Sequence, residues 1–205
     1  FFAKKQIIIA VLFLLLFRLP EALLTPVSQL FLQALPSKGG LGLSPQEFGL
    51  VNGTVGVIGF LVGGIIGGML ISRDGLKKWL WPMTLAITIP NLTYVYLAYV
   101  MPENLMLINV CVAIENLGYG FGFSAYMLFM IYFSQGEHKT SHYALCTGLM
   151  ALSMMLPGLF AGALAQAAGY RLFFIIVMIS CLLPFCVASF LKIDANFGKK
   201  EREEE

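Results

Sequence analysis

Two charged residues lie inside an apolar run that is long enough to cross a lipid bilayer. The run covers residues 7–32, IIIAVLFLLLFRLPEALLTPVSQLFL, and carries Arg18 and Glu21 near its centre. A charge at the centre of a bilayer costs about 2.5–3.5 kcal/mol on insertion scales, so such residues are rare and usually face a polar interior or pathway. A third one, Glu115, lies in a later apolar run. These residues indicate a membrane protein that moves a solute.

The composition supports a location in lipid. Hydrophobic residues make up 59% of the 205 residues and charged residues 12%, whereas a soluble domain carries about 25% charged residues. The chain lacks a basic stripe with interleaved aromatic residues, so we expect the bilayer and a small-molecule solute as partners and no nucleic acid. The sequence begins Phe-Phe-Ala-Lys-Lys without an initiator methionine, so we expect a fragment or a processed piece of a longer protein.

Six segments are apolar and long enough to span a membrane, which predicts an all-α polytopic fold. The first and fourth contain Pro or Gly and are expected to be kinked or tilted. Ten basic residues lie at one side of the predicted spans and two at the other, so the positive-inside rule places both chain ends and the loops around 73–78 and 135–141 in the cytoplasm. The predicted spans are about 6–34, 46–71, 79–101, 104–134, 142–167 and 171–192.

The six spans divide into two sets of three, about 6–101 and 104–194, whose first members enter from opposite sides and carry the intramembrane charges. Inverted three-helix repeats within a six-span half are the organisation of major facilitator transporters. We therefore predict a six-helix transmembrane half over residues 1–194, a charged cytoplasmic tail over 195–205, and a missing N-terminal six-helix half. Gly59, Gly63 and Gly67 follow a spacing of four, which favours close helix packing.

Polar residues of the first span share one helical face. Arg18, Glu21, Thr25, Ser28 and Gln29 fall at offsets of 0, 3, 7, 10 and 11, which is one side of a helix with 3.6 residues per turn. This face is expected to line a wet cavity or to contact another polar helix. Arg18 and Glu115 lie at similar predicted depths, so Arg18 could pair with Glu115, although pairing with Glu21 on its own helix is simpler.

The charges suggest proton coupling. One arginine and two carboxylates leave a surplus negative charge, and burial disfavours the charged form of a carboxyl group, so one of the two could be protonated at rest. We therefore take Glu21 and Glu115 as proton-coupling candidates, driven by a proton gradient and with no cofactor. Arg18 would tune them or meet a substrate anion. The alternative is a structural buried ion pair that locks two helices.

Further residues are candidates for the cavity wall. Tyr119 and Tyr126 share the Glu115 face and could stack on a sugar or merely fill a helix interface, while the nearby glycines make this helix pliable. Asn52, Asn116 and Gln29 are amides that could contact the substrate or other helices.

The loop SRDGLKKW is a candidate cytoplasmic gate, in which acidic and basic side chains connect helix ends. His138 and His142 have no adjacent acidic or cysteine partner, so no metal site is assigned. No nucleophile motif or phosphate loop is visible, so we do not expect an enzyme. The gating candidates are Arg73, Asp74, Lys77 and Lys78.

Three segments carry a family resemblance. EFGLVNGTVGVIGFLVGGIIGGML, ENLGYGFGFSAY, and HYALCTGLMAL followed by AGALAQAAGY resemble the C-terminal half of AmpG-type muropeptide permeases. These belong to the major facilitator superfamily, in a branch that includes acetyl-CoA transporters. The resemblance covers about residues 10–190.

The resemblance implies twelve helices, of which this chain supplies the seventh to the twelfth, in a bacterial inner-membrane symporter. It implies proton-driven uptake of anhydro-muropeptides during cell-wall recycling, by alternating access. Arg18 and Glu21 match a basic and an acidic position of the family, and Glu115–Asn116 matches its Glu-Asn pair. Gly53 and Met154 depart from it, because the family often has basic residues there; this weakens the case for an anionic substrate.

Other functions stay open at this point. The chain could belong to a major facilitator importer of a peptide, a sugar conjugate or a siderophore. It could also be a membrane sensor that does not transport, or an intramembrane enzyme that uses the buried carboxyls as acid and base.

Overall fold

A computed structural model describes residues 4, 6–194 and 197–199, and every regular element in these residues is a helix. Five helical segments are long and apolar enough to cross a membrane. The first four agree with the predicted spans to within three residues at each end, whereas the predicted fifth and sixth spans are joined in one segment. The segments are Ile7–Gln33, Pro45–Asp74, Leu76–Val100, Leu105–Ser134 and Lys139–Ser189.

Several of these segments contain more than one helix. Short 3₁₀ turns lie at Pro36–Lys38 and Ile89–Asn91, and Gly49–Gly56 is a π-helix. The α-helices are α1 (Ile7–Leu16), α2 (Leu19–Gln33), α3 (Pro45–Phe48), α4 (Val57–Asp74), α5 (Leu76–Thr88), α6 (Leu92–Val100), α7 (Leu105–Ser134), α8 (Lys139–Ser180) and α9 (Leu182–Ser189).

The first segment is broken at Phe17 and Arg18, between α1 and α2. Pro20 follows the break at the start of α2, and proline has no N–H with which to continue the helix ladder. The kink that the sequence predicts in the first span is therefore confirmed. The fourth segment shows no such break, because α7 runs as one helix of 30 residues, and its tilt stays a prediction.

The second segment begins with a capping box and continues through a π-helix. Ser44 Oγ accepts a hydrogen bond from the Glu47 N–H, and Glu47 Oε2 accepts one from the Ser44 N–H at 2.8 Å. Pro45 follows at the first helical position, where a missing N–H has no cost. The π-helix of Gly49–Gly56 then joins α3 to α4 and carries Asn52. Such widened turns are frequent at functional sites.

Glycines bring α4 and α7 into backbone contact. A Cβ atom on Gly63 would lie 2.1 Å from the Leu117 carbonyl oxygen, and one on Gly120 would lie 2.0 Å from the Phe60 carbonyl oxygen. Gly118 and Gly122 approach α5 in the same way. The predicted packing role of the α4 glycines is confirmed, and those of α7 serve close contact within a continuous helix.

Two apolar clusters fill the interior, and the charged residues lie between them along the helices. One cluster holds Phe13, Phe17 and Tyr126, while the other holds Leu24 and Val112. Along the first segment and α7, the buried residues Arg18, Glu21 and Glu115 fall between the members of these clusters. The fold therefore has a polar layer near the middle of its helices.

The longest segment contains a break at Gly169. Its dihedral angles, φ 72° and ψ 159°, lie in a region that is essentially restricted to glycine. The chain on either side of this residue is helical.

Candidate functional site

A cavity of about 250 Å³ opens between four of the helical segments. Its wall combines residues of α2, the π-helix, α4, α6 and α7. Five predicted site residues line it, namely Gln29, Asn52, Glu115, Asn116 and Tyr119. The remaining lining residues are Leu24, Thr25, Ser28, Val57, Phe60 and Tyr94.

Glu115 is the acidic group of this cavity. Its side chain is 6% exposed, and its Oε2 accepts a hydrogen bond of 2.7 Å from the Asn116 amide. The same amide donates to the Val112 carbonyl at 3.0 Å, which holds Asn116 on the α7 backbone. The adjacent Glu-Asn pair is thus a single hydrogen-bonded unit at the cavity wall.

Arg18 lies next to the cavity and is held by aromatic rings. Its guanidinium carbon is 4.7 Å from the ring centre of Phe123 and 5.7 Å from those of Tyr119 and Tyr126. Arg18 Nη2 donates a hydrogen bond to the Tyr119 hydroxyl. In the described residues no carboxylate oxygen lies within 4.0 Å of this guanidinium, so neither of the predicted ion pairs is formed.

Glu21 lies deeper than Glu115 and does not line the cavity. Its side chain is 2% exposed, and Asn91 of the 3₁₀ turn and Arg18 are its polar neighbours. Oε1 of Glu21 has no hydrogen-bond partner in the described part of the chain. Glu21 and Glu115 are close enough to interact electrostatically, so the structure brings the two predicted proton-coupling candidates into one region.

Tyr126 does not reach the cavity. It is fully buried, and its hydroxyl donates a hydrogen bond of 2.7 Å to the Leu14 carbonyl in the last turn of α1. The ring contacts Phe17 and Phe123. Of the two readings of this tyrosine, the structure favours the helix interface.

Three of the four predicted gating residues meet in the turn between α4 and α5. Asp74 lies 3.2 Å from Lys78 and 3.6 Å from Arg73, and it accepts a hydrogen bond of 3.0 Å from the Trp79 indole N–H. Lys77 is exposed and has no ion pair in the described residues.

Sequence reasoning missed Phe60, Tyr94, Phe123 and Asn91. The two phenylalanines look like ordinary apolar residues of a span. Phe60 lines the cavity and Phe123 faces Arg18, and both places depend on how α4 and α7 are rotated. A signal was available for Asn91, because a buried amide next to Pro90 lies where proline frees a backbone carbonyl. Tyr94 follows Asn91 by three residues and shares its helical side.

Comparison with known proteins shows which family this chain matches. Residues 10–205 match the Major Facilitator Superfamily. An anhydromuropeptide permease of Escherichia coli (strain K12) is 26% identical over 175 residues, which are 85% of this chain and 34% of that protein. That relative is named as a permease, which is a transporter and not an enzyme.

Two other relatives extend this similarity. A protein of Rickettsia prowazekii (strain Madrid E) named AmpG 1 is 25% identical over 192 residues, 93% of this chain and 41% of that protein. An uncharacterized protein of Haemophilus influenzae (strain ATCC 51907 / DSM 11121 / KW20 / Rd) is 26% identical over 183 residues, 85% of this chain and 42% of the relative. The chain spans less than half the length of these relatives. With its apolar helices and a match over nearly its whole length, this multi-pass membrane protein belongs to the Major Facilitator Superfamily.

Proposed function

We propose that this chain is the C-terminal half of a proton-coupled transporter that carries anhydro-muropeptides into the bacterial cytoplasm. The observation that carries the proposal is the cavity in which Gln29, Asn52, Glu115, Asn116 and Tyr119 meet. Polar side chains from three separate apolar segments converge there, and intramembrane ionisable groups in such a place typically belong to a transport pathway. The name of the Escherichia coli relative supports the choice of solute.

The proposed topology has six spans arranged as two inverted three-helix repeats. The Lys139–Ser189 segment has 51 residues, which would measure about 77 Å as one straight helix. A hydrocarbon core is about 30 Å thick, and the break at Gly169 divides the segment into two pieces of suitable length. Repeat one would cover about 6–101 and repeat two about 104–194.

In the proposed orientation, the protein lies in the bacterial inner membrane and both chain ends face the cytoplasm. The excess of basic residues near the ends and in the 73–78 and 135–141 loops supports it. The charged tail at 195–205 would also be cytoplasmic. Of this tail, residues 195–196 and 200–205 lie outside the described part of the chain.

The proposed substrate site is shared with a second half. Pockets for drug-sized ligands measure about 300–1,000 Å³, and the cavity of about 250 Å³ is small for a disaccharide that carries a peptide. An N-terminal six-helix half would supply the opposite wall, as the greater length of the relatives suggests. Alternating access would then follow from the movement of the two halves around this site.

Glu115 and Glu21 are the proposed proton carriers. Glu115 lines the cavity and can exchange a proton with it, whereas Glu21 is buried with one oxygen unpartnered. A buried acceptor without a donor is costly, and a proton on the carboxyl group would turn that oxygen into a donor for a neighbour such as Asn91.

The first experiment is uptake of labelled GlcNAc-anhydro-muropeptide into vesicles that contain the full-length protein. We expect uptake against a gradient when a proton gradient is imposed. Glu115→Gln should lose this accumulation but keep exchange of labelled for unlabelled solute, because the neutral amide resembles a permanently protonated carboxyl. Glu103→Gln, in the exposed turn before α7, is the matched control and should behave as the parent protein.

Each outcome bears on a different part of the proposal. No uptake by the folded parent protein would remove anhydro-muropeptides as the solute. Full accumulation by Glu115→Gln would remove Glu115 from the proton pathway while leaving transport in place.

A further inference from the structure

Arg18 is a buried cation whose stabilising partners are mainly π-systems. It is 6% exposed, it faces the rings of Phe123, Tyr119 and Tyr126, and its Nε is buried without a hydrogen-bond partner. Aromatic faces attract a guanidinium, but they accept none of its hydrogen bonds in the way that a carboxylate does. The planar donor edge that fits a carboxylate or phosphate is therefore largely unused.

Tyr119 separates this guanidinium from the cavity. Its hydroxyl accepts the hydrogen bond from Arg18, its side chain lines the cavity, and its ring lies 5.2 Å from that of Phe60 on the opposite helix. A neutral hydroxyl is a weaker partner for a guanidinium than a carboxylate, because a carboxylate can accept two parallel hydrogen bonds from it and adds the attraction of a full negative charge.

We infer that Arg18 and Tyr119 form a covered anion subsite in the cavity wall, which takes a carboxylate of the transported solute when the tyrosine hydroxyl gives way. The inference rests on the proposed transport function and names the chemical class of solute that this wall selects. In the described part of the chain, Arg18 is the cationic side chain that contacts a residue of the cavity wall.

The neighbouring carboxyls decide when the subsite is available. Glu21 interacts electrostatically with both Arg18 and Glu115, and Glu115 lines the cavity. In its charged form Glu21 competes with a solute anion for Arg18, and a charged Glu115 repels the anion. Removing one of these negative charges strengthens the attraction between Arg18 and the solute. Binding of the anion and neutralisation of a carboxyl therefore favour each other.

Arg171 shows what an arginine with a purely structural setting looks like in this chain. It is exposed, its Nε donates to the Ala98 carbonyl at 3.1 Å, and it lies 5.4 Å from the Tyr99 ring. Like Arg18, Arg171 lies near an aromatic ring. Unlike Arg18, it is exposed at the surface, and its Nε donates to a backbone carbonyl. It is the matched control.

The test observes the Arg18 side chain directly. The full-length protein is labelled with ¹⁵N-arginine, and the Nε–H signal of Arg18 is assigned by its loss in Arg18→Lys. N-acetylalanine and its neutral amide are then titrated as probes. We expect the acid to shift the Arg18 signal to saturation and the amide to leave it in place, with the Arg171 signal unmoved by either. The anion subsite would be rejected if the chemical shift of the Arg18 Nε–H did not change with the acid, or if it changed equally with the neutral amide.

Two variants that keep Arg18 test whether the Tyr119 hydroxyl covers the guanidinium and whether the negative charge of Glu115 opposes binding of the anion. Tyr119→Phe removes the hydroxyl acceptor but keeps the ring, so the acid should bind about fivefold more tightly, which corresponds to the loss of one competing hydrogen bond. Glu115→Gln should also raise the affinity for N-acetylalanine, whereas Glu103→Gln should leave that affinity unchanged. Unchanged affinity in Tyr119→Phe would contradict the covering role.

The NMR shift does not depend on muropeptide transport, so the two proposals can fail separately. A saturable shift with N-acetylalanine in a protein that takes up no anhydro-muropeptide would retain the anion subsite and reject that solute. Uptake of anhydro-muropeptide without any NMR shift would retain that solute and reject the anion subsite.

Discussion

Tyr119 and Tyr126 lie seven residues apart on the same side of α7, and their hydroxyls have different partners. Tyr119 accepts from Arg18 at the cavity wall, whereas Tyr126 donates to the Leu14 carbonyl beside the break between α1 and α2. One hydroxyl faces a charge and the other closes a backbone hydrogen bond. The same residue type thus serves the site in one case and the scaffold in the other.

We predict that Tyr126→Phe destabilises the protein without changing solute binding. The ring packing is retained, and the loss of the hydrogen bond to Leu14 costs roughly 0.5–1.5 kcal/mol. Thermal unfolding in detergent measures the effect. Tyr96→Phe is the control, because Tyr96 is 44% exposed. A weaker affinity for the solute in Tyr126→Phe would place this tyrosine at the cavity after all.

Sequence periodicity predicted the polar face of the first span, and three of its five members, Thr25, Ser28 and Gln29, line the cavity. It did not predict the partner of Arg18. A carboxylate on the same helix was the simpler choice by spacing, but the break after Phe17 changes the direction of the chain at Arg18 itself. Which group a long side chain meets there depends on the rotation of α7, and single-sequence periodicity carries no such information.

At the scale of helices, the contact between α4 and α7 defines the geometry of the cavity wall. Gly63 and Gly120 let the two backbones touch, which places Phe60 of α4 against Tyr119 of α7. Side chains between these helices would push the two walls apart. The glycine spacing of α4 is therefore a requirement of the site as well as of the fold.

We predict opposite effects for two alanine substitutions on α4. Gly63→Ala places a Cβ atom 2.1 Å from the Leu117 carbonyl oxygen, and such overpacking costs about 1–3 kcal/mol. Gly68→Ala meets nothing within 4 Å and should be neutral or stabilising by up to about 1 kcal/mol, because alanine favours the helix. Thermal unfolding of both variants in the full-length protein checks this. Equal shifts in melting temperature would argue against the backbone contact.

The element boundaries show what local sequence can and cannot predict. Apolar length predicted the first four segments, and proline within the first span predicted its kink but not that the break would lie at Phe17 and Arg18. The π-helix at Gly49–Gly56 was not predicted, since its widened hydrogen-bond register has no characteristic residue pattern. The glycines of α7 were expected to make that helix pliable, yet they lie at contacts with α4 and α5, which depend on neighbours that are distant in the sequence.

At the scale of the whole molecule, large apolar side chains remain on the outer faces of the helices. Ile65 of α4 is 62% exposed, and Leu159 and Phe160 of α8 are 72% and 68% exposed. Surface of this kind suits lipid or a further membrane domain. The chain covers less than half the length of its relatives, and the transporter proposed above would make both kinds of contact.

Cysteine labelling tests the predicted orientation and the predicted number of spans. A membrane-impermeant maleimide applied to spheroplasts should label Lys38→Cys and Arg171→Cys but not Lys139→Cys, and inside-out vesicles should give the reverse pattern. Each is made with Cys186→Ser, because Cys186 is the exposed native thiol among the four cysteines. Failure to label Arg171→Cys from either side would favour a single span over Lys139–Ser189, and a reversed pattern would invert the topology.

The backbone contact between α4 and α7 also has a mechanical consequence. Because Gly63 and Gly120 bring the two backbones into contact, sliding one helix along the other would cause steric clashes, and we expect α4 and α7 to move together. Thr25 and Gln29 belong instead to α2, which packs mainly against α8. The cavity therefore lies between the α4–α7 pair and α2, with Tyr94 of α6 also in its wall, and we expect its width to change when α2 moves relative to that pair.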